Sequence, residues 1–247
     1  AAAACKQSSN RRPEKESPLM LRYAKSALAA LVLLASPAAA EIELSLYLGW
    51  QGVSDSRGSG TLPGGAPINR KFNWDGKPFD APIYYGGRAM WWNTNNIGFG
   101  VEGTHTKAYA SAADLAATGL GRFELSDGHN IITANVMKRW PGFFKGSNFT
   151  PYLGAGVGLA IPHVDAQVVG ATNRTYDYEQ TGIALRGIAG MKYALNDRWA
   201  LFGEYQITWS DNDITLDADP AVAGQLPGRL STELTTHAIN FGVSYSF

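Results

Sequence analysis

The stretch EIELSLYLGW, from Glu41 to Trp50, alternates apolar and polar residues without a break. Ile42, Leu44, Leu46, Leu48 and Trp50 share one parity, and Glu43, Ser45, Tyr47 and Gly49 share the other. Successive side chains of a β-strand point to opposite faces, so the stretch predicts a strand with one apolar and one polar face. The same period returns seven more times, around Ala89, Phe99, Ala134, Val157, Leu185, Leu201 and Val243. Eight strands of about ten residues have the length of a tilted bilayer crossing.

The connections separate a membrane barrel from a soluble sandwich. Those after the second, fourth and sixth strands are short, near Asn93–Asn96, Pro141–Asn148 and Asn196–Arg198. Those after the first, third, fifth and seventh are long, near 54–81, 108–127, 164–178 and 210–233. Trp50 and Trp209 sit at the long-loop ends of their strands, and Trp91, Trp92, Trp140 and Trp199 at the turn ends. Two aromatic girdles with short turns on one side and long loops on the other mark an outer-membrane barrel. The predicted fold is therefore all-β: an eight-stranded antiparallel transmembrane β-barrel with short periplasmic turns and long extracellular loops, in the outer membrane of a Gram-negative bacterium. The final strand, with Phe241, Val243, Tyr245 and Phe247, resembles the C-terminal signal of such proteins, which implies recognition of Phe247 by the barrel-assembly machinery.

Composition fits once the chain is divided. Residues 20–40 read as a signal peptide: Arg22 and Lys25, an apolar run from Ala27 to Ala35, then Ala38-Ala39-Ala40 as a cleavage pattern. Residues 1–19 are a polar upstream extension, with Met20 the expected initiator. Removing 1–40 takes the only cysteine, six of the 21 basic and two of the 21 acidic residues, which leaves a barrel domain over 41–247 with a net charge of −4. Nothing in that charge suggests a nucleic-acid partner, and a monomer in the membrane is expected.

The polar parity assigns Glu43, Tyr47, Arg88, Glu102, Asn135, Arg139, Arg186, Glu204, Gln206 and Asn240 to the lumen. Eight strands enclose a space that side chains nearly fill, so no open pore is expected and the charges should pair. Arg88, Glu102, Asn135 and Glu204 fall at one level and read as a plug layer. The Gly154-Ala-Gly-Val-Gly158 run puts glycine on every second position of a strand, which reads as a bare face beside bulky lumen side chains rather than a phosphate loop. All four histidines lie near the long-loop side: His105, His129, His163 and His237. Strict alternation points His105, His163 and His237 outward, unless Pro162 bulges its strand and re-aims His163. His105, His163 and Asp165 are the residues here whose types suit a divalent metal. The acidic run Asp211, Asp213, Asp217 and Asp219 reads as a solvated surface. No G-x-S-x-G elbow or thiol offers a nucleophile.

EIELSLYLGWQGVSDS from Glu41, APIYYGGRAMWW from Ala81, VEGTHTKAYA from Val101 and TPYLGAGVGLAIPHVD from Thr150 resemble the lipid A oxidase family of outer-membrane barrels. ALNDRWALFGEYQ from Ala194 and HAINFGVSYSF from His237 extend the resemblance. It implies O2-dependent oxidation of the proximal glucosamine of lipid A, in lipopolysaccharide, to aminogluconate. On that reading Glu102, His105, His163 and Asp165 are the catalytic candidates, Arg88, Arg186 and Glu204 bind substrate, and a metal ion would sit at His105, His163 and Asp165. The alternative is a non-enzymatic small barrel serving membrane integrity or adhesion. A lipid A acyl hydrolase or acyltransferase is the third reading, and it needs a Ser–His pair in register.

Overall fold

The computed structural model describes residues 41–247. The signal peptide read at 20–40 and the extension at 1–19 lie outside the described residues. In chain order the strands are β1 (Glu41–Val53), β2 (Ser56–Thr61), β3 (Pro67–Phe72), β4 (Trp74–Asp75), β5 (Tyr85–Trp92), β6 (Ile97–Ala110), β7 (Leu120–Arg139), β8 (Phe149–Val168), β9 (Thr175–Tyr178), β10 (Gly182–Ala194), β11 (Trp199–Leu216) and β12 (Gly228–Ser246). One short helix, α1 (Ala112–Thr118), lies between β6 and β7.

Eight strands form the ring, antiparallel throughout, in the order β1, β5, β6, β7, β8, β10, β11, β12. Closure comes from β1 against β12, with Glu43 opposite Ser246 at one end and Val53 opposite Thr236 at the other. Closing the ring removes both sheet edges, so every strand finds its backbone partners within the wall. The outer face of this ring is the apolar parity read from sequence. Leu46, Val157, Leu201 and Phe241 are more than half exposed or nearly so there, which forms a continuous belt.

The strands do not stop at that belt. β7 and β8 run for 20 residues each, β11 for 18 and β12 for 19. The expected ten-residue strands with long loops are thus corrected: much of the predicted loop sequence is strand. Pairing partners change along the way. β12 pairs with β1 up to Thr236, then with β2 from Thr232 to Arg229. β6 pairs with β5 below and with β4 at Tyr109 and Ala110 above. β8 pairs with β10 below and with β9 from His163 to Ala166 above. β2 continues into the β2–β3 hairpin. The result is a second storey, here called the head, built on the ends of the same strands.

The head has its own core. Ile68, Phe72, Phe123, Leu125, Val164, Ile214, Leu230 and Leu234 are buried together. On β11 the outward residues below are Trp199, Leu201, Tyr205 and Ile207, whereas above them Ile214 and Leu216 face inward and Asp211, Asp213 and Thr215 face out. β12 repeats this: Leu230 and Leu234 are inside, Ile239 and Phe241 outside. Hydrophobicity changes face while the strand keeps its alternation. The medium explains it: below, lipid wets the outside; above, water does, so apolar side chains must turn inward.

Where β3 and β4 do not pair, side chains close the seam. Asp114 of α1 is buried and accepts from Asn73 N (2.8 Å), Asn73 Nδ2 (3.0 Å), Ser111 Oγ (2.7 Å) and Arg70 Nε (2.6 Å). Ser111 caps the helix start and Gly119 ends it in the left-handed region, at φ 76°. Burial by itself would raise the Asp114 carboxyl, but these four donors hold it well below the usual carboxylate range.

Two smaller readings change, at Trp92 and at Pro162. Trp92 is 2 % exposed and points into the lumen, not into a girdle. It has the even parity of Arg88 and Met90 on β5. Trp74 belongs to the head core, stacked on Phe72 at 5.4 Å. Pro162 makes no bulge; it pairs with His129, and the register shift lies in β7 between Glu124 and His129.

Two outcomes follow for the head. Phe72 is wholly buried against Trp74 and Phe123, so Phe72→Ala should cost the head about 3–5 kcal/mol. Limited proteolysis should then cut within 54–81 while the heat-dependent gel shift of the barrel is retained. Asp114 has a depressed folded value, so its stabilisation is complete above its ordinary value of 3.8 and is lost as pH falls through the depressed one. Wild-type head should resist protease at neutral pH and loosen in strong acid. Asp114→Asn should be loose at both, and equal resistance of the two proteins at neutral pH would remove this role.

Candidate functional site

The lumen is occupied at its middle by one hydrogen-bonded layer. β5 delivers Arg88, β6 delivers Glu102, β10 delivers Arg186 and β11 delivers Glu204, each at an inward position of its strand. All four are at most 5 % exposed. Arg88 Nη2 lies 2.8 Å from Glu204 Oε2, and Arg88 Nη1 and Arg186 Nη1 each lie 3.5 Å from Glu102 Oε2. Two guanidiniums thus face two carboxylates. Neutral donors complete the shell. Tyr47 OH donates to Glu102 Oε1 (2.5 Å) and Asn135 Nδ2 to Glu102 Oε2 (2.6 Å). Tyr152 OH donates to Glu204 Oε2 (2.7 Å), and Gln206 Nε2 reaches both Glu102 and Glu204. Arg186 points upward and donates to Thr104, Thr133 and Thr208. Such pairing offsets the large cost of holding charge away from water.

Backbone approach makes room for this layer. A side chain at Gly156 would strike the Asn135 amide oxygen, and one at Gly154 would lie 2.7 Å from Met137. The glycine run is the bare face the sequence suggested. Below, Lys192 pairs with Glu43, Arg139 Nη1 pairs with Glu41 at 2.9 Å, and the Arg139 guanidinium lies over the Trp92 ring at 4.4 Å. Lys192, Glu41, Tyr84 and Tyr152 were not among the expected lumen set. Their parity was the available signal, since Lys192 falls between outward Met191 and Tyr193. Above, His129 is buried, and its Nε2 meets Asn212 Oδ1 (3.2 Å) and Ser210 Oγ (3.3 Å) across the lumen. The head core then covers the top.

The remaining candidates lie on the other side of the wall. His105 stacks on Tyr85 at 5.1 Å and its Nδ1 lies 3.1 Å from Asn130 Oδ1. His163 is enclosed by Tyr176 and Tyr178, at 4.3 and 4.7 Å, with Nδ1 3.5 Å from Asp127 Oδ2. His237 accepts or donates at Tyr205 OH (2.6 Å) and Ser54 Oγ (3.1 Å). Three outward imidazoles therefore each keep a tyrosine. Asp165 lies between Arg122 Nη1 and Arg174 Nε, both at 3.1 Å.

The structure thus brings Arg88, Glu102, Arg186 and Glu204 together and leaves His105, His163 and Asp165 outside them. Glu102 and His105 are on opposite faces of β6 and share no space for a substrate. The proposed metal set does not fit a metal: Asp165 is taken by two guanidiniums, and among the described residues no group of three His, Cys, Asp or Glu could hold an ion.

Residues 26–247 match the family described as the outer membrane protein beta-barrel domain. The chain belongs to that family. It is a Gram-negative outer-membrane barrel, its apolar belt lies in the bilayer, and its head stands on the long-loop side. No curated protein matches it. The barrel is similar to the outer membrane protein OprG from Pseudomonas aeruginosa, at 15 % identity and TM-score 0.50, over 85 % of this chain and 96 % of that one. Neisserial surface protein A (NspA) is similar at 15 % identity and TM-score 0.45, over 84 % and 97 %. Ail, the attachment invasion locus protein of Yersinia pestis, whose structure holds the heparin analogue sucrose octasulfate, is similar at 13 % identity and TM-score 0.34, over 84 % and 99 %. At these identities the likeness concerns the fold alone.

Removing one member of the buried layer should expose its dependence on pairing. Arg88→Leu leaves Glu204 and Glu102 without their shared cation and should cost about 3–5 kcal/mol, read by urea unfolding in detergent. Adding Glu204→Leu should recover part of the loss, because a stranded carboxylate is removed with it.

Proposed function

We propose that this barrel is a non-enzymatic surface protein: a sealed membrane wall that holds a folded extracellular head, serving envelope integrity or adhesion. One observation carries the reading. The lumen is shut in series by the Glu43–Lys192–Trp92 base, the Arg88–Glu102–Arg186–Glu204 layer and the apolar head core. Residues buried this deeply are spent on filling and closing the barrel, and the surface left for a partner is the head. The head is tied down by ladders and seams rather than left as free loops, which suits a binding surface whose ordering cost has been met in folding.

Channel recording tests the sealed wall. Purified protein in planar bilayers should give no conductance steps, and Arg88→Leu should give none either, because the base and the head core still close the lumen. Regular steps from wild type would overturn the reading.

A second reading, oxidation of lipid A, has one observation in its favour besides the sequence resemblance: His105 and His163 lie on the outer side of the wall rather than in the sealed lumen, each packed beneath a tyrosine. Its His105, His163 and Asp165 do not fit a metal, since Asp165 is held by two guanidiniums. Mass spectrometry of lipid A from a deletion strain separates the two. On the proposed function the lipid A is unchanged; loss of an aminogluconate signal with the gene would replace it by the oxidase.

A further inference from the structure

The head is not filled to its tip. A cavity of about 210 Å³ lies among the ends of three excursions: the β2–β3 hairpin at Pro63, the β8–β9 segment from Ala166 to Thr175, and the β11–β12 connection from Leu216 to Gln225. Its floor is Leu120, Ala166 and Leu216, each at most 3 % exposed and part of the head core. Its upper wall includes Val169 and Val222, which are 67 % and 50 % exposed. An apolar cavity of about 150 Å³ accepts a benzene-sized molecule, so this one has room for a single substituted ring.

The walls are fixed to one another. Thr172 donates to the Asp219 carboxylate through N (2.7 Å) and Oγ1 (2.6 Å), and Asp219 N donates to Gln225 Oε1 (2.5 Å). Asn173 Nδ2 donates to Ala218 O (2.8 Å), and Gly64 N to Leu226 O (3.0 Å). Three segments far apart in sequence are thus clamped around one space, as a preformed small-molecule site requires.

Polarity at the mouth selects the ligand. Arg174 lines the cavity, but its guanidinium is drawn away onto Asp165 (3.1 Å) and the Tyr176 ring (4.2 Å). Asp219 is spent on Thr172. Asp217 lines the cavity, is exposed, and forms no ion pair among the described residues. Asn173 has committed its amide nitrogen, which leaves its oxygen to accept. An apolar floor under a carboxylate and a carbonyl calls for an apolar body with a cationic donor.

We infer that this cavity binds a small amphiphilic amine, with one ring or branched chain on the Leu120–Ala166–Leu216 floor and an ammonium at Asp217. The site is separate from the sealed lumen, so its test stands apart from channel recording. The full barrel in nanodiscs is titrated with phenethylamine by saturation-transfer NMR, against empty nanodiscs, with phenylacetate as the charge-reversed probe. Saturable phenethylamine binding with a Kd on the order of 1 mM is expected for a ligand of this size, with phenylacetate binding far more weakly. Asp217→Asn should weaken phenethylamine by about fivefold. Val222→Trp should occlude the mouth and abolish binding; both residues are exposed, and resistance to limited proteolysis checks that the head of each variant is folded. The inference is overturned if wild type shows no saturable binding, if phenylacetate binds as well as phenethylamine, or if either folded variant binds like wild type.

Discussion

A backbone in hydrocarbon has no water to bond, so a sheet that crosses it must close on itself. The pairing of β1 with β12 meets that demand, and the rest of the molecule answers to it. Eight strands enclose a narrow lumen. Whatever enters that lumen is cut off from bulk water, so charges there must find each other. Arg88, Arg186, Glu102 and Glu204 do so, with Tyr47, Tyr152, Asn135 and Gln206 supplying the remaining donors. Glycine on the facing strand yields the space their bulk requires.

The same strands continue into a second medium, and the chain marks the crossing by exchanging its faces. On β11 the exchange comes just above Trp209, which is the last apolar residue on the outer face, and Ile214 is the first one inside the head. This is why the membrane strands were legible and the head was not. Below, period-two alternation gives strand and parity, and most of the lumen set follows from the parity. Above, the apolar residues move to the other parity, so the pattern appears to break, and a broken pattern between turn residues reads as loop. Following the face rather than the apolar phase would have carried β8 through Val164 and Ala166 and β12 back to Leu230.

Sequence placed the buried charges on the correct side of the wall but could not name their partners, because strands far apart in the chain meet across the lumen. Glu204 meets Arg88 from 116 residues away. It erred in a different way in joining Glu102 with His105. Three residues apart on a strand means opposite faces, and here opposite faces are lipid and lumen. The outward histidines are explained by tyrosine neighbours that only register reveals: Tyr85 stands opposite His105, and Tyr178 opposite His163. Asp165 seemed free for chemistry until Arg122 arrived from β7 and Arg174 from the β8–β9 connection.

The exchange of partners along β6, β8 and β12 has a consequence for how such a surface can diversify. In a barrel with free loops, residues can be inserted or deleted almost anywhere outside the bilayer. Here an indel in the outer half of β8 or β12 would slip the register of a strand that also crosses the membrane. Length variation should therefore be confined to the few stretches that carry no ladder, such as 219–227. Elsewhere in the head, sequence change must proceed by substitution at outward positions.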